Sequence, residues 1–507
     1  MDALTMESIT RFQNWPAAIS ILVLTSFAVL VIHHARRPSF SKGAPRFFDA
    51  GNWPIIGALR FWTDRLNFVN QGIHSSPSGN FSFYFGKNQI VGVSGPEGRK
   101  TFFESKDLRL AEGYEVLFAT QPAIPDDAYK GEMAFDKWFQ RTIIGQTRKE
   151  TFARNLPLFI NDTRESLERM VARAGNPGLM DPFDDLYKII YQLTVRIVGA
   201  TEIANDPKLR AKTLGLFETI AGASSPTRII FPWLPTPAYI RKNLAGARLY
   251  YELNKLVEDR KKTGRRENDT LQYFIDTDEP IIRSLTFILG ALFAGQLNSG
   301  ITVGGVLISL AWHPEWYKKV QEEVDGVIAK HRKTPDQSAI DILSTLSIDE
   351  YTDAFPLIDL CFREEIRFQM VGTAFRKNVS GRGVPVGNAG DIIPKDAYVI
   401  YPMDDVHFNP EYYPHPEEWD PSRYFPVEGK DQPPYLGWGT GRHPCLGMKF
   451  AKLEMSIIGA LFVAMFDYSL TDVKGNPLAA APPKDRSGHS SERPKTPLRL
   501  KYTLRKH

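Results

Sequence analysis

Apolar residues recur at a spacing near 3.6 along much of the chain beyond about residue 135, a period typical of amphipathic helices. This spacing predicts helices over residues 164–174, 185–198, 248–262, 314–331 and 446–466. Short strand-like stretches lie at residues 81–85, 89–93, 398–401 and 498–504. The sequence contains no internal repeat, which argues against solenoids and propellers. We therefore predict a mainly α fold class with small β-sheets and one globular domain.

Residues 16–32 form an almost wholly apolar run near the amino terminus. Its length approaches the roughly 20 helical residues that cross a bilayer core. The flanking charges are Asp2, Glu7 and Arg11 before the run, and Arg36, Arg37, Lys42 and Arg46 after it. The positive-inside rule then places the carboxyl side in the cytosol.

The alternative reading of this run is a cleaved signal peptide. The run has no basic segment before it and no small-x-small cleavage site after it, so we interpret it as a retained anchor. The predicted organisation is a lumenal amino terminus over residues 1–15, a transmembrane helix over 16–34, a Pro/Gly-rich linker over 35–57 and a globular domain over 58–507.

A second apolar run, residues 282–312, carries a single charge at Arg283. Polar and small residues cluster at its middle, where they would be costly in lipid: Gly295, Gln296, Asn298, Ser299 and Gly300. The run therefore predicts a long buried helix that passes a cofactor.

A third apolar segment, residues 229–235, is too short to span a membrane and is interrupted by Pro232 and Pro235. It fits either a loop that enters a membrane surface or a loop packed in the core. The nearby cations Arg228, Arg241 and Lys242 slightly favour the membrane surface.

Charge and cysteine content narrow the function classes. The formal net charge is +4 from 62 basic and 58 acidic residues, too even a balance to predict nucleic acid as a partner. Two cysteines, Cys361 and Cys445, cannot form a disulfide framework in 507 residues, which indicates a reducing compartment. The sequons at Asn80, Asn161, Asn268 and Asn378 are then expected to stay unmodified.

Residues 438–447, with the sequence WGTGRHPCLG, carry the strongest chemical signal. Their glycines allow a tight turn and a close approach to a flat ligand. Cys445 stands where a helix is predicted to begin, and free backbone N–H groups at that position favour a thiolate. Such a sulfur is suited to be an axial iron ligand, whereas Cys361 is interpreted as a buried small hydrophobe.

This segment resembles the cysteine-ligand loop of cytochrome P450 enzymes. Trp438 stands at the aromatic position of the motif, and the motif glycines are Gly441 and Gly447. Arg442 and His443 are suited to meet a haem propionate. Pro444, directly before the cysteine, departs from the usual pattern but leaves the N–H groups after Cys445 intact.

Two further motifs of that family occur in the expected order. Glu364 and Arg367 lie three residues apart, on one face of a predicted helix, and match its Glu-x-x-Arg pair. Arg423 stands in a segment that resembles the one whose arginine joins this pair. The resemblance implies a buried structural network of three residues that braces the cysteine loop.

Several stretches resemble the fungal-type, sterol 14α-demethylase-like branch of the family: residues 111–114, 147–152, 231–235 and 295–296. By position, this resemblance makes Arg141 and Tyr114 candidate partners of the haem propionates. The chain departs from that branch in the long helix, where Leu297 and Asn298 replace the His-Thr pair that relays protons. The departure argues against sterol demethylation and leaves Asn298 and Ser299 as the candidate catalytic residues.

The resemblance implies a P450 fold that holds haem b through Cys445. It also implies an endoplasmic reticulum membrane monooxygenase that oxidises a hydrophobic small molecule with O₂ and electrons from NADPH–cytochrome P450 reductase, in specialised metabolite biosynthesis. The expected substrate pocket is lined by Phe287, Ala291, Ala294, Leu297, Val371 and Phe375. Oxidative coupling or rearrangement without oxygen insertion is the alternative chemistry, and a non-catalytic haem sensor is the alternative class.

Overall fold

The structure, a computed structural model, describes residues 15–117, 135–388, 390–426, 428–429, 431–481, 485–488 and 493–506. The predicted lumenal segment lies almost entirely outside these residues. Phe118, the residue after the first described range, also lies outside them.

Helices make up most of the described chain. In chain order they are α1 (Trp15–Ala35), α2 (Arg60–Thr63), α3 (Arg65–His74), α4 (Gly95–Glu104), α5 (Leu110–Leu117), α6 (Phe135–Gln146), α7 (Lys149–Ala174), α8 (Pro182–Val198), α9 (Thr201–Asn205), α10 (Pro207–Ala221), α11 (Pro226–Ile230), α12 (Pro237–Thr263), α13 (Thr270–Asp276), α14 (Ile281–Trp312), α15 (Pro314–His331), α16 (Ala339–Leu343), α17 (Ile348–Asp353), α18 (Pro356–Gln369), α19 (Asp404–His407) and α20 (Met448–Met465). A short 3₁₀ helix spans Pro421–Tyr424.

Strands form small sheets beside the helices. They are β1 (Asn52–Trp53), β2 (Gly57–Ala58), β3 (Phe81–Phe85), β4 (Asn88–Gly92), β5 (Leu108–Arg109), β6 (Gly178–Met180), β7 (Thr373–Asn378), β8 (Val384–Pro385), β9 (Ile392–Ile393), β10 (Tyr398–Pro402), β11 (Phe466–Thr471) and β12 (Arg499–Leu504). The largest sheet has the order β1-β2-β3-β4-β10-β7-β5, and within it β4 and β10 pair in parallel. A second sheet has the order β11-β12-β6, and β8 pairs with β9. The prediction of a mainly helical fold with small sheets is confirmed.

The helix α14 is the central element of the core. By length and composition it is the one helix able to cross a membrane among the residues whose side chains are described, which in α1 are only residues 17–29. Yet 72% of its most apolar window is buried inside the protein. Its glycines allow α8 to pack closely, since a Cβ on Gly300 would lie 2.5 Å from the Tyr187 ring and one on Gly304 would lie 2.8 Å from the Phe183 ring. The prediction of a buried helix is confirmed, and close packing explains Gly300 and Gly304.

The helix α1 lies apart from this core. Every described side chain of residues 17–29 is exposed, including Leu22 at 67% and Leu24 at 66%. The following residues do not form a free linker. The Tyr84 hydroxyl donates a hydrogen bond to Pro38 O at 2.6 Å, and Phe47 forms a β-bridge with Ser82. Much of the predicted linker is therefore bound to the large sheet, and it contains β1.

Candidate active site around Cys445

The loop before α20 presents the cysteine of the predicted motif. The N–H of Cys445 donates to Trp438 O at 2.7 Å, and the N–H of Gly439 donates to Leu436 O at 2.8 Å. These bonds fold residues 436–445 into a closed loop that ends at the first turn of α20. The Cys445 side chain is exposed, whereas Cys361 is fully buried as expected.

Glycine is required at two positions of the loop. Gly441 has φ +62°, and a Cβ there would lie 2.4 Å from Phe103 O, which also accepts the N–H of Arg442 at 3.0 Å. Gly439 has φ +68°, and its Cβ would lie 2.6 Å from His443 O. At Gly447, by contrast, an added Cβ would meet no described atom within 4 Å. Protein packing therefore does not require glycine at position 447, which fits a flat group approaching there.

The protonation of Cys445 depends on two opposing effects. Desolvation by the surrounding loop raises the pKa of the thiol, although its side chain is exposed. Hydrogen bonds from the N–H groups of Gly447 and Met448 lower the pKa, in the direction predicted from a helix start. Desolvation is the larger effect, so these N–H groups alone do not make a thiolate. A bound metal cation would supply the missing positive charge.

The predicted network of three residues is present behind the loop. Arg367 Nη2 lies 2.7 Å from Glu364 Oε1, and both side chains are fully buried. Arg423 Nε lies 3.4 Å from the same oxygen. The Tyr424 hydroxyl donates to Glu364 Oε2 at 3.0 Å, and the N–H of Asp420 donates to Oε1 at 3.0 Å. The carboxylate thus has enough partners to offset the cost of its burial.

His407 connects this network to the cysteine loop. Arg367 Nη1 donates to His407 O at 2.6 Å, and His407 Nε2 accepts the N–H of Leu436 at 3.0 Å. Burial and the nearby Arg367 charge lower the pKa of His407 to about 3, so the ring is neutral and can accept this bond. His407 was not predicted from the sequence, since a histidine outside a motif gives no signal.

The two predicted catalytic residues in the middle of α14, Asn298 and Ser299, lie in different surroundings. Ala294 and Asn298 are exposed on one helical face, while Leu297 is half-buried. Asn298 Nδ2 donates to Ala294 O at 2.9 Å, so its side chain is tied back to its own helix. Ser299 is buried and forms a side-chain hydrogen bond with Glu454 of α20. This bond brings α14 into contact with the helix that follows Cys445.

The other predicted pocket residues are buried. Phe287 packs in an aromatic cluster with Phe139 and Phe274, at ring-centroid distances of 5.0 and 5.3 Å. Ala291 is buried on the same helix. Val371 and Phe375 are buried at the end of α18 and in β7, and the Phe375 ring lies 5.2 Å from Tyr114. The structure thus places Phe287 in the core and brings Tyr114 and Phe375 together.

The residues predicted to meet the haem propionates differ in how exposed they are. Arg141 is exposed on α6, Arg442 is exposed and His443 is half-buried. Burial raises the pKa of Tyr114, and the charges of Arg376 and Arg65 oppose this rise. Tyr114 therefore stays protonated and able to donate a hydrogen bond.

Arg376 of β7 is a candidate that the sequence did not reveal. It is 2% exposed, its guanidinium lies 4.7 Å from the Phe102 ring centroid, and its Nε has no hydrogen-bond partner in the described part of the chain. Desolvation lowers its pKa to about 10. It lies next to Phe102 and Phe103, and the cysteine loop contacts Phe103. A buried cation with an orphaned donor at this place fits an anionic group of a ligand.

These residues fit a haem with one thiolate ligand. Among the described residues no cluster of three metal-ligating side chains exists, and Cys445 is the residue that would bind the iron. An added Cβ on Gly447 would meet no described atom, and Arg376, His443 and Tyr114 are the polar residues that would meet the propionates of a bound haem.

Comparisons with known proteins agree with this site. The family model described as Cytochrome P450 matches residues 47–486. Cytochrome P450 monooxygenase AacuE of Aspergillus aculeatus is 31% identical over 474 residues, which are 91% of this chain and 93% of that protein. Obtusifoliol 14-alpha demethylase of Sorghum bicolor is 23% identical over 478 residues, which are 92% of this chain and 93% of that protein.

A solved structure shows the same fold. It is that of a retinoic acid bound cyanobacterial CYP120A1, with a TM-score of 0.68 and 20% sequence identity, covering 92% of this chain and 100% of that chain. The family match and the relatives support a haem-iron thiolate cofactor at the loop described above. This chain therefore belongs to the cytochrome P450 family and is a cytochrome P450 monooxygenase.

Proposed function

We propose that this protein is a membrane-anchored monooxygenase that oxidises a hydrophobic small molecule in specialised metabolite biosynthesis. It uses haem b, O₂ and electrons from NADPH–cytochrome P450 reductase. The observation that carries the proposal is the closed loop presenting Cys445 at the start of α20, braced through His407 by the Glu364–Arg367 pair. Bound haem would supply a thiolate-ligated iron, a state that favours O–O bond cleavage.

The side chains of this protein have separate roles in that reaction. Cys445 binds the iron, and Arg376, His443, Arg442 and Tyr114 hold the propionates. Ala294 leaves space on the exposed face of α14, where its small side chain permits a substrate to approach. The predominantly apolar surroundings exclude water and favour a hydrophobic substrate.

The test of the cofactor site is a difference spectrum of the reduced protein with carbon monoxide. Cys445→Ser is expected to abolish the absorbance band typical of thiolate ligation, because a serine hydroxyl does not provide the soft sulfur ligand. Cys361→Ala is the control, since that cysteine is fully buried in the core. An unchanged band in Cys445→Ser would refute the ligand assignment.

The membrane part of the proposal rests on exposed apolar groups. The described side chains of α1 are exposed, as are Trp233 at 47% and Leu234 at 36%, whereas Ile229 and Ile230 are buried. Residues 229–234 therefore combine a buried start at the end of α11 with an apolar tip suited to a membrane surface. We place α1 across the endoplasmic reticulum membrane, with the globular domain in the cytosol.

The reductase is proposed to dock on the basic surface around the cysteine loop. Lys452 forms an ion pair with Asp359 at 2.7 Å, so its charge is partly neutralised. Arg442 and Lys449 are exposed and supply the remaining positive charge for an acidic partner.

Asn298 supports a second candidate, oxidative coupling of two radicals without oxygen insertion. Its amide is bound to Ala294 O and cannot relay a proton as a hydroxyl does. Turnover under ¹⁸O₂ separates the two reactions, since hydroxylation places ¹⁸O in the product and coupling does not. Asn298→Thr is expected to raise the amount of oxygenated product per NADPH consumed. An unchanged ratio would show that position 298 does not control the outcome.

A further inference from the structure

Asn298 is one of two exposed residues on the central helix α14, which is described along its whole length. The other is Ala294, one turn before it, and the remaining residues of α14 are buried or half-buried. An exposed turn in the middle of a packed helix is a place where a small molecule can contact that helix. The chemical groups on this turn therefore influence which molecules bind there.

The other polar side chains in this part of α14 face the protein. Gln296, Ser299 and Thr302 are each at most 5% exposed. Gln296 Nε2 donates a hydrogen bond to Tyr187 O at 2.7 Å, and the Thr302 hydroxyl donates to Asn298 O at 2.9 Å. Asn298 is thus the polar side chain that α14 presents at the exposed turn.

The helix itself fixes the orientation of the Asn298 amide. Its Nδ2 donates to Ala294 O at 2.9 Å. The opposite orientation would bring two acceptor oxygens together, so Oδ1 is the amide atom directed away from this carbonyl. No donor in the described part of the chain is bound to Oδ1. The exposed turn therefore presents an oriented hydrogen-bond acceptor.

The surroundings of this acceptor are apolar. Along the helix beside it, Ala291 is buried, Ala294 is exposed and Leu297 is half-buried. An apolar molecule that covers the turn displaces water from Oδ1, and without a donor of its own it leaves that oxygen without a hydrogen bond. Sites of this kind discriminate strongly against ligands that lack the donor.

We propose that Asn298 Oδ1 accepts a hydrogen bond from a hydroxyl group of the substrate. The substrate is then a largely apolar molecule that carries an alcohol or phenol O–H, and its hydroxyl-bearing end contacts α14. Because this contact fixes the orientation of the molecule, Asn298 also determines which carbon is oxidised. The inference rests on the proposed monooxygenase function and narrows its substrate class.

The first test measures binding without turnover. The ligand pairs are β-naphthol with naphthalene and para-phenylphenol with biphenyl, whose members differ by one hydroxyl group. Their Kd values are read from the optical shift of the ferric haem-bound protein. The ratio of the hydrocarbon Kd to the phenol Kd should fall by about 2- to 12-fold in Asn298→Leu, the range of one hydrogen bond. Comparing the ratios between proteins cancels the different hydration of the two ligands.

Asn298→Asp and the methyl ethers of both phenols separate an acceptor from a donor. Asn298→Asp retains an acceptor oxygen and loses the N–H groups, so it should keep the preference for the phenol. The ethers have an oxygen but no O–H, so Asn298→Leu should change their Kd no more than it changes that of the hydrocarbons. A preference for the ethers, or loss of the phenol preference in Asn298→Asp, would show that the amide donates and would overturn the proposal.

The chain contains a matched control for Asn298→Leu. Asn155 Nδ2 on α7 donates to Thr151 O at 2.9 Å, the same bond to the preceding turn, but Asn155 is only 7% exposed. Asn155→Leu should therefore leave the ratio of the two Kd values unchanged. Equal changes in Asn155→Leu and Asn298→Leu would reveal a general effect on helix packing, which contradicts a contact with the hydroxyl.

The second test follows products in holoenzyme reconstituted with reductase and NADPH. Wild-type protein should convert β-naphthol mainly to one oxidised product, whereas Asn298→Leu should give several, because the hydroxyl no longer orients the ring system. Naphthalene should give the same product distribution with both proteins. A β-naphthol distribution that is identical in the two proteins would refute the orienting role.

Failure of this contact is distinguishable from failure of the proposed function. An unchanged ratio of Kd values in Asn298→Leu, or no optical shift with either phenol, in protein that retains the thiolate-type carbon monoxide band would overturn the role of Asn298 alone. Absence of that band in the wild type, or its persistence in Cys445→Ser, would instead contradict the cofactor site and the function that rests on it.

Discussion

Gly441 and Gly381 share a left-handed backbone conformation but differ in their surroundings. Their φ angles are +62° and +73°, whereas an added Cβ would meet Phe103 O at 2.4 Å in one case and no described atom within 4 Å in the other. The pair therefore separates the cost of backbone conformation from the cost of crowding at the level of single residues.

We predict that Gly381→Ala lowers the free energy of unfolding by about 1–2 kcal/mol, the cost of a left-handed L-residue. Gly441→Ala should cost more and should also weaken haem retention, because the loop must move away from Phe103. Urea unfolding and the haem content of the purified variants measure both effects. Equal costs for the two variants would show that the contact with Phe103 is unimportant.

Motifs revealed some site residues and not others, for a physical reason. Cys445, Glu364, Arg367 and Arg423 stand in local patterns that a single sequence displays. Arg376, His407 and Glu454 acquire their character from burial by distant elements, which no local pattern records. Burial also acts on Cys445, where desolvation raises the pKa more than the predicted N–H groups at the helix start lower it.

At the scale of elements, the amino-terminal end of α18 is capped by a side chain from another helix. Glu323 of α15 accepts the N–H of Leu357 at 2.7 Å and that of Ile358 at 3.1 Å. Desolvation nevertheless raises the pKa of Glu323 from its ordinary value of 4.5 to about 7. The helix that carries Glu364 and Arg367 is thus positioned by a titrating group.

This cap predicts a pH dependence of stability. Because the pKa of Glu323 is raised in the folded state, protonated Glu323 stabilises that state below pH 4.5. This contribution to the unfolding free energy is lost as pH rises toward 7. Glutamine cannot ionise, so Glu323→Gln should remove this loss. The slope of the unfolding free energy against pH should then become more positive by up to about 1.4 kcal/mol per pH unit. Urea unfolding at pH 5, 6 and 7 measures the slope.

Glu350 provides the control for this prediction. Hydrogen bonds from Ser347 lower its pKa in the folded chain, and in the unfolded chain the ordinary value of 4.5 leaves the carboxyl mostly ionised between pH 5 and 7. Glu350→Gln should therefore change the slope far less than Glu323→Gln over that range, and only to a small extent, in the opposite direction, near pH 5. A slope for Glu323→Gln that matches the wild type would contradict the cap as a titrating group.

The sequence predicted the middle of the helices better than the residues at which they begin. The pattern predicted a helix over residues 164–174, whereas α7 begins at Lys149 and continues through Pro157. Proline normally breaks a helix interior, but stacking of Phe152 on Phe450 and the burial of Phe159 hold this helix together. The strand β7 was missed because its charged Arg376 and Lys377 interrupt the apolar signal.

At the scale of the whole molecule, the proposed membrane contact rests on two exposed apolar surfaces, α1 and the tip at Trp233 and Leu234. Removal of residues 1–35 should leave the carbon monoxide spectrum unchanged, since the described side chains of α1 are all exposed. Residual binding to phospholipid vesicles should then depend on Trp233 and Leu234. Flotation of the truncated protein with phospholipid vesicles, with and without Trp233→Ser and Leu234→Ser, measures this binding.

The control for vesicle binding is Val473→Ser in the same truncated protein, because Val473 is 50% exposed in a turn after β11. Equal flotation of the Trp233/Leu234 double variant and this control would contradict the membrane contact. A changed carbon monoxide spectrum on truncation would instead show that the anchor supports the fold.

The pairing of β12 with β6 has a consequence for biosynthesis. The Tyr502 hydroxyl donates to Gly175 O at 3.0 Å, a contact between positions 327 residues apart. At a typical synthesis rate of 5–20 residues per second, β6 waits on the order of tens of seconds for its partner strand. During that interval the edge of β6 is open to other chains. A fusion or truncation placed before Arg499 should therefore aggregate during expression, whereas chaperone association during translation would protect the nascent chain.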